Sequence, residues 1–385
     1  MTISMDPRDM LKTLVGFDTV SRVSNRALID FVVDYLNGHG VPSRLVPNED
    51  GSKASLYATI GPNVDGGVVL SGHTDVVPVD GQNWTSDPFT LTERAGKLFG
   101  RGTSDMKGFI AIALALVPEM QRAGLKRPIH FAFSHDEEIG CLGAPHLIAR
   151  MVEELPPVKA VIVGEPTSMK VVTGHKGILV FETSVRGKSV HSSQIHRGVS
   201  ANMVAARLMV FLDEMMRDAA KKVPHGCPFE PPFTTIHCGQ VNGGTAHNIV
   251  ASDCSFVTDI RALPDEDANA YLARFEEHIR NEVEPAMKRI APESGVSIHV
   301  HARVPGFSPE PGSEAEHLAR LLTGDNASHA VSYTTEAGQF QEAGYTVVVC
   351  GPGSIDQAHQ PDEFIEISQL EAGTAFTRKL IGYLS

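Results

Sequence analysis

Four short apolar runs constrain this chain more than any other feature. Val68-Val69-Leu70-Ser71, Ile129-His130-Phe131-Ala132-Phe133, Ala160-Val161-Ile162-Val163 and Thr346-Val347-Val348-Val349 are continuous and rich in β-branched residues. Such runs suit parallel strands covered on both faces. Longer stretches of helical texture separate them. The first is predicted to open at Met106, with Asp105 placed as its N-cap, and to extend towards Ala123. Strand and helix in alternation give an α/β class, with a mixed, mostly parallel sheet and helices on both faces.

Between about Gly177 and Val304 the texture changes. Ile178–Val185, Phe233–Gln240, Cys254–Ile260 and Val296–His301 read as strands. Two helices are expected. One covers 201–220, with Val204, Leu208, Phe211, Leu212 and Met215 on one stripe. The other covers 265–290 and is kinked or ended by Pro285. Strand, helix, strand, strand, helix, strand is the order of a ferredoxin-like α+β unit. The chain therefore reads as an α/β domain over 1–177 and 303–385, interrupted by an inserted α+β domain over 178–302. Its 385 residues suit two or three domains.

Possible metal ligands gather where those strands end. His73 and Asp75 follow the first run, Glu137 and Glu138 the second, and Glu165 the third. His359 lies in a Gly-Pro loop after the fourth, and Asp105 precedes a helix in a loop of the same kind. Open α/β sheets bind ligands outside the carboxyl ends of their strands, so distant loops deliver these groups to one rim. His73 and Asp75 are two apart, so in extended chain their side chains share a face, and Asp75 is expected to orient the imidazole. Glu137 and Glu138 are adjacent and point apart, so one can bind metal while the other stays free as a base. One imidazole and one carboxylate per metal, with a shared carboxylate, describe a two-metal hydrolytic site. Nitrogen and oxygen donors suit Zn, Co or Mn.

Composition narrows the alternatives. With 33 basic against 46 acidic residues, the net charge of −13 disfavours nucleic-acid and anionic-membrane partners. Five widely spaced cysteines without a C-x-x-C pair point to neither a disulfide framework nor a Cys-type zinc site. His225, Cys227, His237 and Cys238 lack structural-zinc spacing and read as loop and core residues. Gly100-Arg101-Gly102 lacks the third glycine of a dinucleotide fingerprint, and no Gly-x-Ser-x-Gly elbow accompanies Ser192 and Ser193. The opening Met1–Pro7 has no basic segment followed by an apolar run, and Phe109–Val117 is too short to span a bilayer, so a cytoplasmic protein is expected.

Gly72-His73-Thr74-Asp75-Val76-Val77-Pro78, Gly102-Thr103-Ser104-Asp105-Met106-Lys107-Gly108, Asp136-Glu137-Glu138 and Gly164-Glu165-Pro166-Thr167 resemble the motifs of the co-catalytic zinc family. That family includes aminoacylases, succinyl-diaminopimelate desuccinylase, glutamate carboxypeptidase and acetylornithine deacetylase. Within it, His175-Lys176-Gly177, Asp259–Pro264 and Gly351–Glu363 look most like the acetylornithine deacetylase branch. The resemblance implies that Asp105 bridges two divalent ions, zinc or alternatively cobalt. His73 and Glu165 would complete one site, and Glu138 and His359 the other. Glu137 would be the general base, with Asp75 behind His73. His191 would polarise the scissile carbonyl, commonly in the partner subunit of a homodimer formed through the inserted lid. Asn248 and Arg261 would hold the α-carboxylate of a small N-acyl amino acid, and we assign Glu336 to the ammonium of an ornithine side chain. After His191-Ser192-Ser193 the chain departs from the family pattern, reading Gln194-Ile195-His196-Arg197-Gly198.

Overall fold

A computed structural model describes residues 5–385; Met1–Ser4, part of the segment read as lacking a leader, lie outside the described residues. The four apolar runs become the strands Gly67–His73, Ile129–Ser134, Val158–Pro166 and Val347–Gly351. They lie side by side and all run parallel, in the order Ile129–Ser134, Gly67–His73, Val158–Pro166, Val347–Gly351. Ala54–Ile60 and Val172–His175 flank them antiparallel, and Ser43–Pro47 extends the first of these flanks. The sheet is thus mixed and mostly parallel.

Each central strand is buried along nearly its whole length, as its uniform apolar sequence requires. Lys107–Ala115, buried at every position, packs on Gly67–His73 and Val158–Pro166 beneath the helices Pro7–Val15 and Ile367–Leu384. Gly164 permits this approach, because the Phe109 ring occupies the space its Cβ would need. From Gly67–His73 the chain moves to one neighbour, Ile129–Ser134. It then returns to the opposite neighbour, Val158–Pro166. The crevice between those directions is where an open α/β sheet binds ligands.

The helix expected to begin at Met106 differs in two ways. Its N-cap is Met106 itself, without a side-chain cap bond, and Asp105 turns its carboxylate towards two imidazoles instead. It also ends at Ala115, and a second helix, Val117–Arg122, starts with Pro118 in its first turn. Proline at that position lacks only an N–H that a helix start leaves unpaired, so a new helix can begin there.

The described chain divides into two compact units. One runs through Gly174 and resumes over Pro309–His329 and Thr335–Ser385; the other comprises His175–Ser308 and Ala330–Thr334. The second unit holds a four-stranded antiparallel sheet, ordered Thr235–Gly243, Asp253–Ala262, Gly177–Arg186, Gly295–Val304, the arrangement of a ferredoxin-like fold. Its first helix is Ala201–Ala220, with Val204, Leu208, Leu212 and Met215 buried on one stripe. The second is interrupted ahead of Pro285: Ala268–His278 is followed by a π turn, Ile279–Val283, and then by Glu284–Ile290.

One core residue makes the first unit sensitive to acid. His130 is 1% exposed, bonds Thr59 Oγ1 through Nδ1 at 2.9 Å and leaves Nε2 without a partner. Burial pushes its pKa down to about 4. Its folded pKa lies below the unfolded value, so the unfolded chain takes up the proton first. The associated stability is present above about pH 6.5 and is lost as pH falls towards 4. At pH 5 the loss amounts to about 2 kcal/mol. Chemical denaturation of wild type and His130→Asn at pH 7.5 and pH 5 should show the smaller acid loss in the variant. Equal losses would acquit His130.

Candidate metal centre

The rim of the parallel sheet gathers seven polar side chains from loops far apart in sequence. His73 is the last residue of its strand and is 1% exposed. Its Nε2 lies 3.0 Å from Asp105 Oδ1 and 3.7 Å from Glu165 Oε1. His359, whose side chain is 53% exposed, sits at the mouth. Its Nε2 lies 3.4 Å from Asp105 Oδ2 and 3.0 Å from Glu138 Oε2. The two oxygens of Asp105 therefore face different imidazoles, the geometry a bridging carboxylate needs. Ligand atoms of His73, Asp105 and Glu138 lie within 4.8 Å of one another, as do those of His73, Glu137 and Glu165.

This donor set fits divalent metal. It offers imidazole nitrogen and carboxylate oxygen without thiolate, and the contacts of His73 and those of His359 meet at the Asp105 carboxylate. Without a cation its charges are poorly balanced. Burial, followed by the Asp105 charge, raises Glu138 to about 7, and the same two causes lift Glu165 well above the ordinary range. Burial also lifts Glu137, with Glu138 adding repulsion and His73 opposing it. Hydrogen bonds to Asp105 and Glu138 raise His359 to about 10. Burial works against both charges of the inner pair, yet the hydrogen bond between His73 and Asp105 helps hold the imidazole above and the carboxyl below their usual values. One Glu138 oxygen is buried without a hydrogen-bond partner, as expected of an atom reserved for an ion.

Asp75 departs from the expected arrangement. His73 Nδ1 meets the Asp75 backbone carbonyl at 2.9 Å, and the nearer carboxylate oxygen stands 3.7 Å off. The Asp75 carboxylate instead accepts Ser21 Oγ at 2.7 Å and the backbone N–H groups of Glu137 at 3.1 Å and Glu138 at 3.3 Å. Extended spacing placed the two side chains on one face, but the chain leaves its strand after His73. Asp75 therefore orients the imidazole through its main chain and the two glutamates through its side chain.

Glu336 also sits differently from expectation. It is 1% exposed and accepts hydrogen bonds from Ser134 Oγ and, at 3.4 Å, from Ser71 Oγ. Burial raises its pKa. The carboxylate faces two strand hydroxyls rather than solvent.

His191, Asn248 and Arg261 belong to the second unit. Ser192 N–H donates to Asn248 O at 2.9 Å, joining the two loops. His191 is exposed, and its Nδ1 accepts the Ser193 N–H at 3.3 Å and meets Ser193 Oγ at 2.8 Å. A ring whose Nδ1 accepts carries its proton on Nε2, so His191 presents a donor. The unusual sequence after it forms a 3₁₀ turn, Ser192–Arg197, with Gln194 outside helical geometry. Arg261 pairs with Asp259 at 3.0 Å along the same strand.

Sequence reasoning gave no role to Arg101, Glu363 or Gln82. Arg101 and Glu363 are each 1% exposed and paired at 2.8 Å, beneath the Asp105 loop. A charged pair cannot be located from composition, although Glu363 closes one quoted stretch and Arg101 directly precedes another. The five cysteines are unpaired, with Cys141, Cys254 and Cys350 buried.

Residues 69–383 match the model of a family described as peptidase family M20/M25/M40. A protein named acetylornithine deacetylase from Pasteurella multocida (strain Pm70) is 34% identical over 97% of this chain and 96% of its own. One of the same name from Proteus mirabilis (strain HI4320) is 36% identical over 95% and 91%. Among solved structures, an M20 family metallo-carboxypeptidase from Sulfolobus solfataricus superposes with a TM-score of 0.78 at 19% identity, covering 98% of this chain and 99% of that one. A dinuclear metal-binding M20 peptidase from Bacillus subtilis gives 0.63 at 18% identity, over 98% and 97%.

Proposed function

The chain belongs to peptidase family M20/M25/M40, a family of metal-dependent amide hydrolases, and on that premise we propose that it removes the acetyl group from N-α-acetyl-L-ornithine. The observation that carries the chemistry is Asp105, with one carboxylate oxygen towards each imidazole. The relatives named acetylornithine deacetylase, alike over nearly their full lengths, support the substrate. The products are ornithine and acetate, and the proposal places the reaction in arginine biosynthesis and in the cytoplasm. Among the described residues no helix is long and apolar enough to cross a membrane.

Two ions, zinc or alternatively cobalt, would be held by His73, Asp105 and Glu165 and by Asp105, Glu138 and His359. When bound they supply Lewis acidity to the scissile carbonyl and acidify water. Glu137 then accepts the proton of the attacking water at its carboxylate and returns it to the departing α-amine. Asp75 holds the Glu137 main chain while this happens. His191 Nε2–H donates to the oxygen on which negative charge develops, a contact that strengthens only in the transition state. Arg261 and Asn248 take the substrate carboxylate, for which the planar guanidinium fork is suited. We include a homodimer through the inserted unit, with His191 acting in the partner's site. Exposed Met203, Val210 and Val241 on that unit support this assembly.

Glu336 completes the substrate reading as partner of the ornithine ammonium, for which it must exchange Ser134 for the substrate. Apo and metal-loaded enzyme should be assayed for acetate and succinate release on N-acetylornithine, N-acetylmethionine and N-succinyl-diaminopimelate. Metal should restore hydrolysis, with N-acetylornithine the best substrate. Glu336→Gln should lose about tenfold more kcat/KM on N-acetylornithine than on N-acetylmethionine, the scale of one charge-assisted hydrogen bond. Equal losses would remove Glu336 from substrate selection, and preferential release of succinate would make the enzyme a desuccinylase.

A further inference from the structure

Asp105 and His359 arrive at the rim on two loops, 100–105 and 353–363, that are far apart in sequence. The carboxylate of Glu363 is inserted beneath the first. Its Oε1 accepts the backbone N–H groups of Ser104 at 2.9 Å and Asp105 at 3.0 Å. Its Oε2 accepts Gly102 N–H at 3.0 Å and Arg101 Nη1 at 2.8 Å. Four donors on one carboxylate leave it no spare acceptor capacity in the plane of its lone pairs.

Arg101 carries the connection onward. Its Nη2 donates to Gln82 Oε1 at 2.6 Å, its guanidinium lies 5.1 Å over the Trp84 ring, and Nη1 also reaches Gln360 O at 3.3 Å. Gln82 Nε2 in turn donates to the backbone carbonyl of His359 at 2.8 Å. That bond matters because His359 has φ +64°, in the left-handed region that residues with a Cβ occupy sparsely. A second tie joins the loops: Ser104 Oγ donates to Ser354 O and accepts from Ser354 N–H, both at 3.1 Å. Gly353, φ +90°, leaves room for it, since its Cβ would fall 2.4 Å from Ser104 Oγ.

We propose that Glu363, Arg101 and Gln82 are positioning residues that fix the spacing between Asp105 and His359, and so preform the metal pocket that these two share with Glu138. This rests on Asp105 and His359 being metal ligands. Glu363→Gln is the sharpest perturbation, because an amide must turn its NH₂ group towards N–H donors that the carboxylate accepted. Gln82→Met is the milder one: from a partly exposed side chain it removes the bonds to His359 O, Arg101 Nη2 and Trp84 Nε1, and it leaves all four donors on the Glu363 carboxylate.

Isothermal titration of Zn(II) into the apo form of the full chain reads both affinities, and thermal melts of the same samples report folding. Wild type should take up two ions. Glu363→Gln should weaken the second ion by about 10–100-fold, the range for groups that orient metal ligands, and the first by less. Gln82→Met should weaken the second ion alone, by about threefold to tenfold, with a smaller change in apo melting temperature than Glu363→Gln shows. Such selective loss is not what general loosening produces. Two ions bound at wild-type affinities by folded Glu363→Gln would overturn the proposal. Should that variant not fold, an unchanged second affinity in Gln82→Met does the same. Wild type binding fewer than two ions would instead remove the metal reading beneath it.

Discussion

Glu137→Gln is expected to fold, to bind metal as wild type does, and to hydrolyse at least a hundredfold more slowly. General acid–base groups contribute about 10²–10⁴ in rate, and an amide of the same shape cannot accept the proton. The surroundings of Glu137 favour a base over a structural anion. Its carboxyl is raised well above the usual range, mainly by burial, and bound metal would draw that value back down, towards the range a general base needs. Cys141 Sγ meets Glu137 Oε1 at 3.4 Å, and the Glu137 main-chain N–H is tied to Asp75. An amide can keep both contacts, so the substitution isolates proton transfer from position. The geometry also contains a rival role. Glu137 stands within ligand range of His73 and Glu165, and a glutamate that bound metal there would cost stoichiometry on substitution. Metal content measured beside kcat separates the two. Full metal with lost turnover identifies the base, whereas lost metal makes Glu137 a ligand. Full metal with near wild-type turnover would leave it neither role.

How much of this was legible in the sequence follows from what each feature depends on. The four central strands are set by local composition, and runs such as Val347-Val348-Val349 have few other ways to be buried. Strand ends then locate the rim, so His73, Glu165 and the Glu137–Glu138 pair could be placed from chain order. Adjacency alone could not say which glutamate faces which group. The bonds of the Asp75 carboxylate to Ser21 and to the two glutamate N–H groups were not legible, because they depend on how the chain turns after His73, which spacing does not encode. Asp105 has the composition of an N-cap, and only the two imidazoles that converge on it from other loops reveal the stronger demand. The bonds of Glu336 to Ser71 and Ser134 on neighbouring strands were not legible either, because they join residues far apart in sequence. Arg101 and Glu363 were invisible as a pair for the same reason: their interaction spans the fold.

Metal removal should make stability depend on pH in a direction that the metal-loaded protein does not share. In the metal-free site Glu138 is raised to about 7, and Glu137 and Glu165 are raised well above the carboxylate range. His359 is raised to about 10 and His73 well above its ordinary value. In every one of these groups the folded pKa exceeds the unfolded one, so the folded chain holds protons that the unfolded chain has released. Stability from such groups is fully present below the unfolded pKa and is lost as pH rises through the folded one. The carboxyls act from about pH 4.5 upward, the His359 imidazole from about 6.5 to about 10, and the His73 imidazole from about 6.5 upward. Asp105, held low, acts in the opposite sense, but only in strong acid. The apo protein should therefore lose stability steadily between pH 6 and pH 9. Divalent ions require the deprotonated ligands, so they bind more tightly as pH rises and displace protons on binding. The melting temperatures of chelator-treated and zinc-loaded protein should accordingly diverge with pH. Titration of zinc at pH 7 in two buffers of different ionisation enthalpy should register more than one proton released per protein. A gap in melting temperature that stays constant from pH 6 to pH 9, with no proton release, would mean that these carboxylates and imidazoles are not the groups the ions displace.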